Sequence, residues 1–159
     1  MKMKIEKIQI APEARIEDAV VVWPEQKGNV QIVSAINGKE EFCLPDGSLK
    51  VIYAFNFLSR FPLEEVSGVL SKLHGLLAPG GQLYLCENDL DYLMRAVVGG
   101  DLSAGEFNDS FIAQSYLNRE LTISLLEKAG FRQDNMAEWF DNLKFEKRHF
   151  EFVISAIKK

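Results

Sequence analysis

The chain has 159 residues, 47% hydrophobic and 26% charged; this is the ordinary globular mixture, which excludes a disordered chain and fits one domain spanning 1–159. A formal net charge of -5 argues against a nucleic-acid partner, whose phosphates reward clustered Lys and Arg. No apolar run approaches the ~20 residues of a membrane helix, and no apolar stretch of signal length follows the early lysines, so a cytoplasmic protein with no membrane partner is expected.

Residues 4–10 (KIEKIQI) alternate apolar and polar, which predicts a strand. Pro12 breaks that run and opens a short helical turn through Glu17. Residues 19–23 (AVVVW) form a continuous β-branched run, suited to a strand covered on both faces, and Pro24 ends it. Residues 30–36 (VQIVSAI) predict a third strand, closed by Asn37 and Gly38. The run 44–48 (LPDGS) is turn chemistry. Residues 49–55 (LKVIYAF) predict another strand.

Helical spacing then takes over in 62–77, with apolar Val66, Val69, Leu70, Leu73, Leu76 and Leu77. Ala78-Pro79-Gly80-Gly81 stops that helix, and 82–86 predict the next strand. Residues 89–98 predict a helix with Leu90, Leu93, Met94 and Val97 on one side, ended by Gly99-Gly100. A second helix is predicted over 103–114, where Ser103 and Glu106 make a capping box. Asn118 caps a third helix through Lys128, which Gly130 terminates. Residues 131–140 and 145–157 predict two closing strands, the second alternating from His149 as an antiparallel partner would. Strands alternating with helices argue for a mainly parallel sheet, and two adjacent strands at the end add an antiparallel pair.

Little in this pattern announces chemistry by itself. Cys43 and Cys86 each lie in or beside an apolar run and read as buried thiols. With His74 and His149 as the only histidines, a zinc site lacks ligands. His74 reads as a boundary residue of its helix, and His149 as a structural one. The basic run 144–148 is broken by Glu146 and reads as a solvated face. There is no Gly-x-Ser-x-Gly elbow, no Walker-type loop and no Gly-x-Gly-x-x-Gly fingerprint. Ligands of open α/β sheets bind outside the carboxyl ends of the parallel strands, where strand order reverses. Those ends are 11–13, 23–25, 55–57 and 87–89. Asn56 there is a strand-end cap or a substrate contact. Asp89 reads as a helix cap, and Glu87 as a candidate base.

The segment LPDGSLKVIYAFNFLSRFPLEEVSGVLSKLHGLLAPGGQLYLCENDLDYLMRAV resembles the fourth strand, helix and fifth strand of class I S-adenosylmethionine-dependent methyltransferases. Their pattern runs from an "lPd-s-D" strand and its "EH" exit, through a helix, to "lkPGG" and the next strand. The following GDLSAGEFNDSFIAQSYLNRELTISLLEKAGF is similar to a short subgroup associated with sugar and cell-surface polysaccharide genes, so the likeness covers 40–159. The resemblance implies an α/β fold: a three-layer Rossmann-like sheet, mainly parallel, with an antiparallel C-terminal strand pair and a shortened N-terminus. It implies S-adenosylmethionine as cofactor, held by Ala11, Pro12, Glu13, Trp23, Glu25, Asp46 and Phe55. It also implies a small-molecule substrate met by Asn56, Glu87, Asn88 and Tyr116.

Several positions depart from the family pattern. Ala11, Pro12 and Glu13 stand where the family has a Gly-x-Gly loop, whose missing Cβ atoms let the backbone approach the cofactor. Glu13 adds a negative charge near the cofactor carboxylate. Trp23 stands where an acid accepts the ribose hydroxyls, and indole only donates; Glu25 lies two residues on. Lys50 replaces the fourth-strand acid, and Ser59-Arg60 replace "EH". Ser115 and Tyr116 lie nearest the place of the subgroup's histidine. Two functions follow as expectations. One is a methyltransferase acting on a small soluble substrate. The other is the same fold without catalysis, serving as a homodimer or as the protein partner of an active enzyme.

Overall fold

The computed structural model of the protein describes residues 6–11, 20–22, 45–110, 115–134 and 151–159. The β-branched and aromatic runs form strands: β1 Lys7–Ile10, β2 Val20–Val22, β3 Leu49–Phe55, β4 Leu77–Asn88, β5 Phe131–Gln133 and β6 Glu151–Lys158. The helically spaced runs form α1 Leu63–Leu76, α2 Leu90–Gly99, α3 Ala104–Ser110 and α4 Arg119–Lys128, and a 3-10 turn covers Leu58–Arg60. The expected strand at 30–36 and helical turn at 12–17 lie outside the described residues, as do Cys43 and His149.

The strands make one sheet in the order β2-β1-β3-β4-β6-β5. β1 pairs in parallel with β2 and β3, and β3 in parallel with β4. β6 runs antiparallel to β4, and β5 antiparallel to β6. The α/β class, the mainly parallel sheet and the antiparallel closing strands therefore follow the sequence reading.

Period-two alternation divides the sheet into two faces. One face presents Ile8, Ile10, Ile52, Ala54, Leu83, Leu85, Phe152, Ile154 and Ala156 to the main core. Helix α1 covers it with Val66, Val69, Leu70, Leu73 and Leu76, all buried. Each such side chain removed from water stabilises the fold by roughly 2 kcal/mol. Helix α4 joins the same core through Leu126. The other face carries a smaller cluster of Ala11, Tyr53, Phe55, Cys86 and Val153. It also carries a row of polar side chains across four strands, in which Gln9 is opposite Tyr53, Tyr53 opposite Tyr84, and Tyr84 opposite Ser155. The two tyrosine rings stack at 5.1 Å, and burial together with the neighbouring Tyr84 raises the Tyr53 hydroxyl above its ordinary pKa.

The helix ends follow their local chemistry. Asp89 caps α2 by accepting from the Asp91 N–H at 3.0 Å, and Gly100 ends it at φ 82°. Ser103 and Glu106 form the reciprocal capping box, at 3.1 and 2.8 Å. Asn118 caps α4 by accepting from the Leu121 N–H at 2.9 Å. Two boundaries differ from expectation. β4 begins at Leu77 instead of Gln82, and its register against β3 shifts between Leu49 and Val51, so Ala78-Pro79-Gly80-Gly81 is a bulge inside the strand. Gly81 is needed there, because a Cβ would meet the Ala78 carbonyl at 2.8 Å. The described part of the 131–140 run is strand only to Gln133; Asp134 still donates its N–H to the Ser155 carbonyl at 2.8 Å. Among the described residues no helix is long and apolar enough to cross a membrane.

Candidate functional site

Strand order reverses between β1 and β3: the chain places β2 on one side of β1 and β3 on the other. Because these strands and β4 are parallel, their carboxyl ends share one edge, the place where open α/β sheets bind their ligands. Residues Ala11, Phe55, Asn56, Glu87 and Asn88 gather there.

Ala11 follows β1 and is fully buried, packed in the cluster with Phe55 and Cys86. Phe55 is paired with Cys86 at the last register position of β3. The next residue breaks the strand: Asn56 lies in the left-handed region at φ 48°, a conformation Asn tolerates better than most side chains. Its N–H donates to the Cys86 carbonyl at 2.7 Å, and its Oδ1 is buried without a hydrogen-bond partner among the described residues. Asn88 ends β4 opposite Glu151, and its Oδ1 is likewise buried and unpartnered among the described residues.

Glu87 belongs to the core face, in step with Leu83 and Leu85, and is 1% exposed. Its Oε1 accepts from the Phe57 N–H at 2.9 Å and from the Leu58 N–H at 2.8 Å. Burial raises its carboxyl from 4.5 to about 7, against the opposing pull of the Leu58 N–H, Ser59 and the Phe57 N–H. Arg60 stands close enough for the carboxylate to favour its charged form, although burial lowers the guanidinium pKa overall. One oxygen of Glu87 thus clamps the turn, while its Oε2 is buried without a hydrogen-bond partner among the described residues.

A second segment closes over this edge. The Ser115 N–H donates to the Ser59 carbonyl at 3.2 Å, and the Leu117 carbonyl accepts from the Leu90 N–H at 2.9 Å. Ser115 is 6% exposed. Tyr116 between them is partly exposed and stacks on Phe107 at 5.5 Å, so its position beside the edge comes with a packing role.

Asp46 does not join the group. It lies in the turn that precedes β3, at the opposite edge of the sheet, roughly 20 Å away along a seven-residue strand. That turn is tied to α1 by the Gly47 N–H donating to the Gly75 carbonyl at 2.8 Å. Lys50 is at the same far edge, in a 2.9 Å ion pair with Glu6. The family-pattern positions at the start of β3 and in the turn before it thus serve the turn and the strand pair. Pro12, Glu13, Trp23 and Glu25 lie outside the described residues. In sequence, Ser59 and Ser115 stand out only as occupants of family positions. Their burial follows from the turn and the covering segment, which neither periodicity nor composition marks.

Neither a family model nor a curated protein sequence matches this chain. Solved structures do. A SAM-dependent methyltransferase from Thermotoga maritima, described as a possible histamine N-methyltransferase, matches with TM-score 0.52 at 16% identity, over 89% of this chain and 64% of its own. An O-methyltransferase family protein from Burkholderia thailandensis gives 0.53 at 15% identity, over 87% and 36%. PigF, solved with S-adenosylhomocysteine, gives 0.51 at 17% identity, over 89% and 36%. The chain thus spans less than two thirds of the length of each of these three structures. At these identities the likeness establishes architecture: the protein has the class I S-adenosylmethionine-dependent methyltransferase fold.

Proposed function

We propose that the protein binds S-adenosylmethionine at the carboxyl edge of β1, β3 and β4 and acts as a methyltransferase on a small molecule. The observation that carries this reading is the pair of buried amide oxygens, on Asn56 and Asn88 at the carboxyl ends of β3 and β4, left without partners among the described residues. Buried acceptors are ordinarily satisfied, so a ligand rich in hydroxyl and amino donors suits this edge. The cofactor has such donors on its ribose, adenine and amino-acid parts, and when bound it supplies an electrophilic sulfonium methyl. Phe55 and Ala11 would form an apolar wall against it, with Asn56 and Asn88 as acceptors. Orientation of the substrate is the protein's main contribution to such a transfer. Titration with S-adenosylmethionine and S-adenosylhomocysteine tests this. A hundredfold excess over Kd should stabilise the fold by about 2.7 kcal/mol. No thermal shift at millimolar ligand overturns the reading.

Two observations favour a second reading, a methyltransferase fold without catalysis that serves as a homodimer or as a regulatory partner. Ala11 places a buried Cβ where the family's loop has glycine, and Glu87, the acid within β4, is held by the turn. Under this reading the protein self-associates or copurifies with an active enzyme and no methyl transfer is detected.

A further inference from the structure

The carboxyl edge is shaped by the exit of β3. There the chain leaves the sheet at Asn56, turns through Leu58–Arg60 and enters α1. Two successive N–H groups of this exit, on Phe57 and Leu58, have turned away from the strand ladder and are buried with their residues, each 0% exposed. Buried backbone donors need acceptors, and here both use one oxygen of a side chain on the neighbouring strand, 30 and 29 residues away in sequence. The same neighbouring strand holds the other side of the exit, since the Asn56 N–H donates to the Cys86 carbonyl at 2.7 Å. Asn56 is therefore pinned between two adjacent residues of β4, Cys86 through its carbonyl and Glu87 through its side chain. This double attachment fixes the left-handed conformation of Asn56, a conformation that local sequence does not favour for most residues.

We propose that Glu87 is a positioning residue: by holding the Phe57 and Leu58 amides it sets the backbone of Asn56 and so places the Asn56 side chain at the ligand edge. The inference rests on the methyltransferase reading for the identity of the ligand, while the clamp itself rests on geometry. What the clamp needs is an acceptor oxygen at the reach of a glutamyl side chain. Gln preserves that, Asp withdraws the oxygen by one methylene, and Leu removes it.

The test compares the whole protein with E87Q, E87D and E87L by amide hydrogen exchange and by calorimetric titration with S-adenosylhomocysteine. The E87L and E87D variants should lose at least about tenfold in protection at Phe57 and Leu58, the usual cost of orphaning a buried donor. Leu83 and Leu85, inside β4, should keep theirs. Affinity for S-adenosylhomocysteine should fall with the exchange protection, and E87Q should retain both. Unchanged protection at Phe57 and Leu58 in E87D overturns the proposal, as does equal loss at Leu83 and Leu85, which would make Glu87 a general support of the sheet. Unaltered affinity in E87D despite local loosening overturns it too. If E87L does not fold, E87D and E87Q carry the comparison. A wild type that does not bind S-adenosylhomocysteine overturns the methyltransferase reading separately, and exchange at the two amides then decides the clamp.

Discussion

The buried Glu87 makes stability depend on pH in a direction opposite to most carboxylates. Its folded pKa is raised from 4.5 to about 7, chiefly by burial. In an unfolded chain it ionises near its ordinary value. Between these values the folded state holds a proton that the unfolded state has released, so stability falls as pH rises through the window. The favourable contribution is complete below about pH 4.5 and gone above about pH 7. The rise of roughly 2.5 pH units, at about 1.4 kcal/mol each, puts about 3 kcal/mol at stake. For a chain of this size that is on the order of 10 °C in Tm.

Glu87→Gln isolates the effect, because the amide copies the protonated carboxyl's shape and keeps one acceptor for the Phe57 and Leu58 amides. Urea unfolding of both proteins from pH 4.5 to 8 should show near-equal stability at the acid end. The variant should gain progressively toward about 3 kcal/mol above pH 7, where the wild type carries an ionised buried carboxylate. Other titrating groups are common to both proteins and cancel in the difference. A flat difference across the window would refute the reasoning. A wild type that gains on the variant as pH rises would reverse it, since the amide donors and Arg60 would then outweigh desolvation.

Substitutions at four other residues probe the frame around the site. Gly130→Ala should cost about 1–2 kcal/mol from its positive φ alone, and more because the new Cβ would meet His74 Nε2 at 3.0 Å. Adding His74→Ala should recover the contact part but not the backbone part, as a double-mutant cycle of unfolding energies will read. Asn118→Ala should cost about 1 kcal/mol by removing the α4 cap, with Asn118→Asp retaining most of it in denaturant unfolding. Leu70→Ala, in the middle of the α1 contact with the sheet, should cost roughly 2–5 kcal/mol in the same assay and leave the slope of the transition unchanged.

Much of the fold was legible because each element obeys one dominant local rule. Helix α1 declares itself through apolar spacing, and Asp89, Ser103 and Asn118 through capping chemistry, whose hydrogen bonds the structure contains. The β4 boundary was less legible, because Pro79-Gly80-Gly81 reads as a loop whether it leaves the sheet or bulges within it. The site was harder still. Topology puts Phe55, Asn56, Glu87 and Asn88 at the carboxyl edge, whereas only a family pattern points to Asp46, which precedes β3.

The role of Glu87 was hidden for a different reason, though its burial was not beyond reach. Leu83, Leu85 and Glu87 alternate on one face of β4, and the first two face the main core. By the same alternation Glu87 must also enter it, and a carboxyl that enters an apolar core must be met by donors. On the adjacent strand Ile52 faces Leu83 and Ala54 faces Leu85, so the position opposite Glu87 falls at Asn56. There β3 stops, and the amides that follow no longer have a ladder to join. Period and register thus bring an acceptor without partners to donors without partners. What the sequence leaves unspecified is the turn of Asn56 to φ 48° that lets them meet. That turn is a product of tertiary pairing between residues 30 apart and not of local propensity.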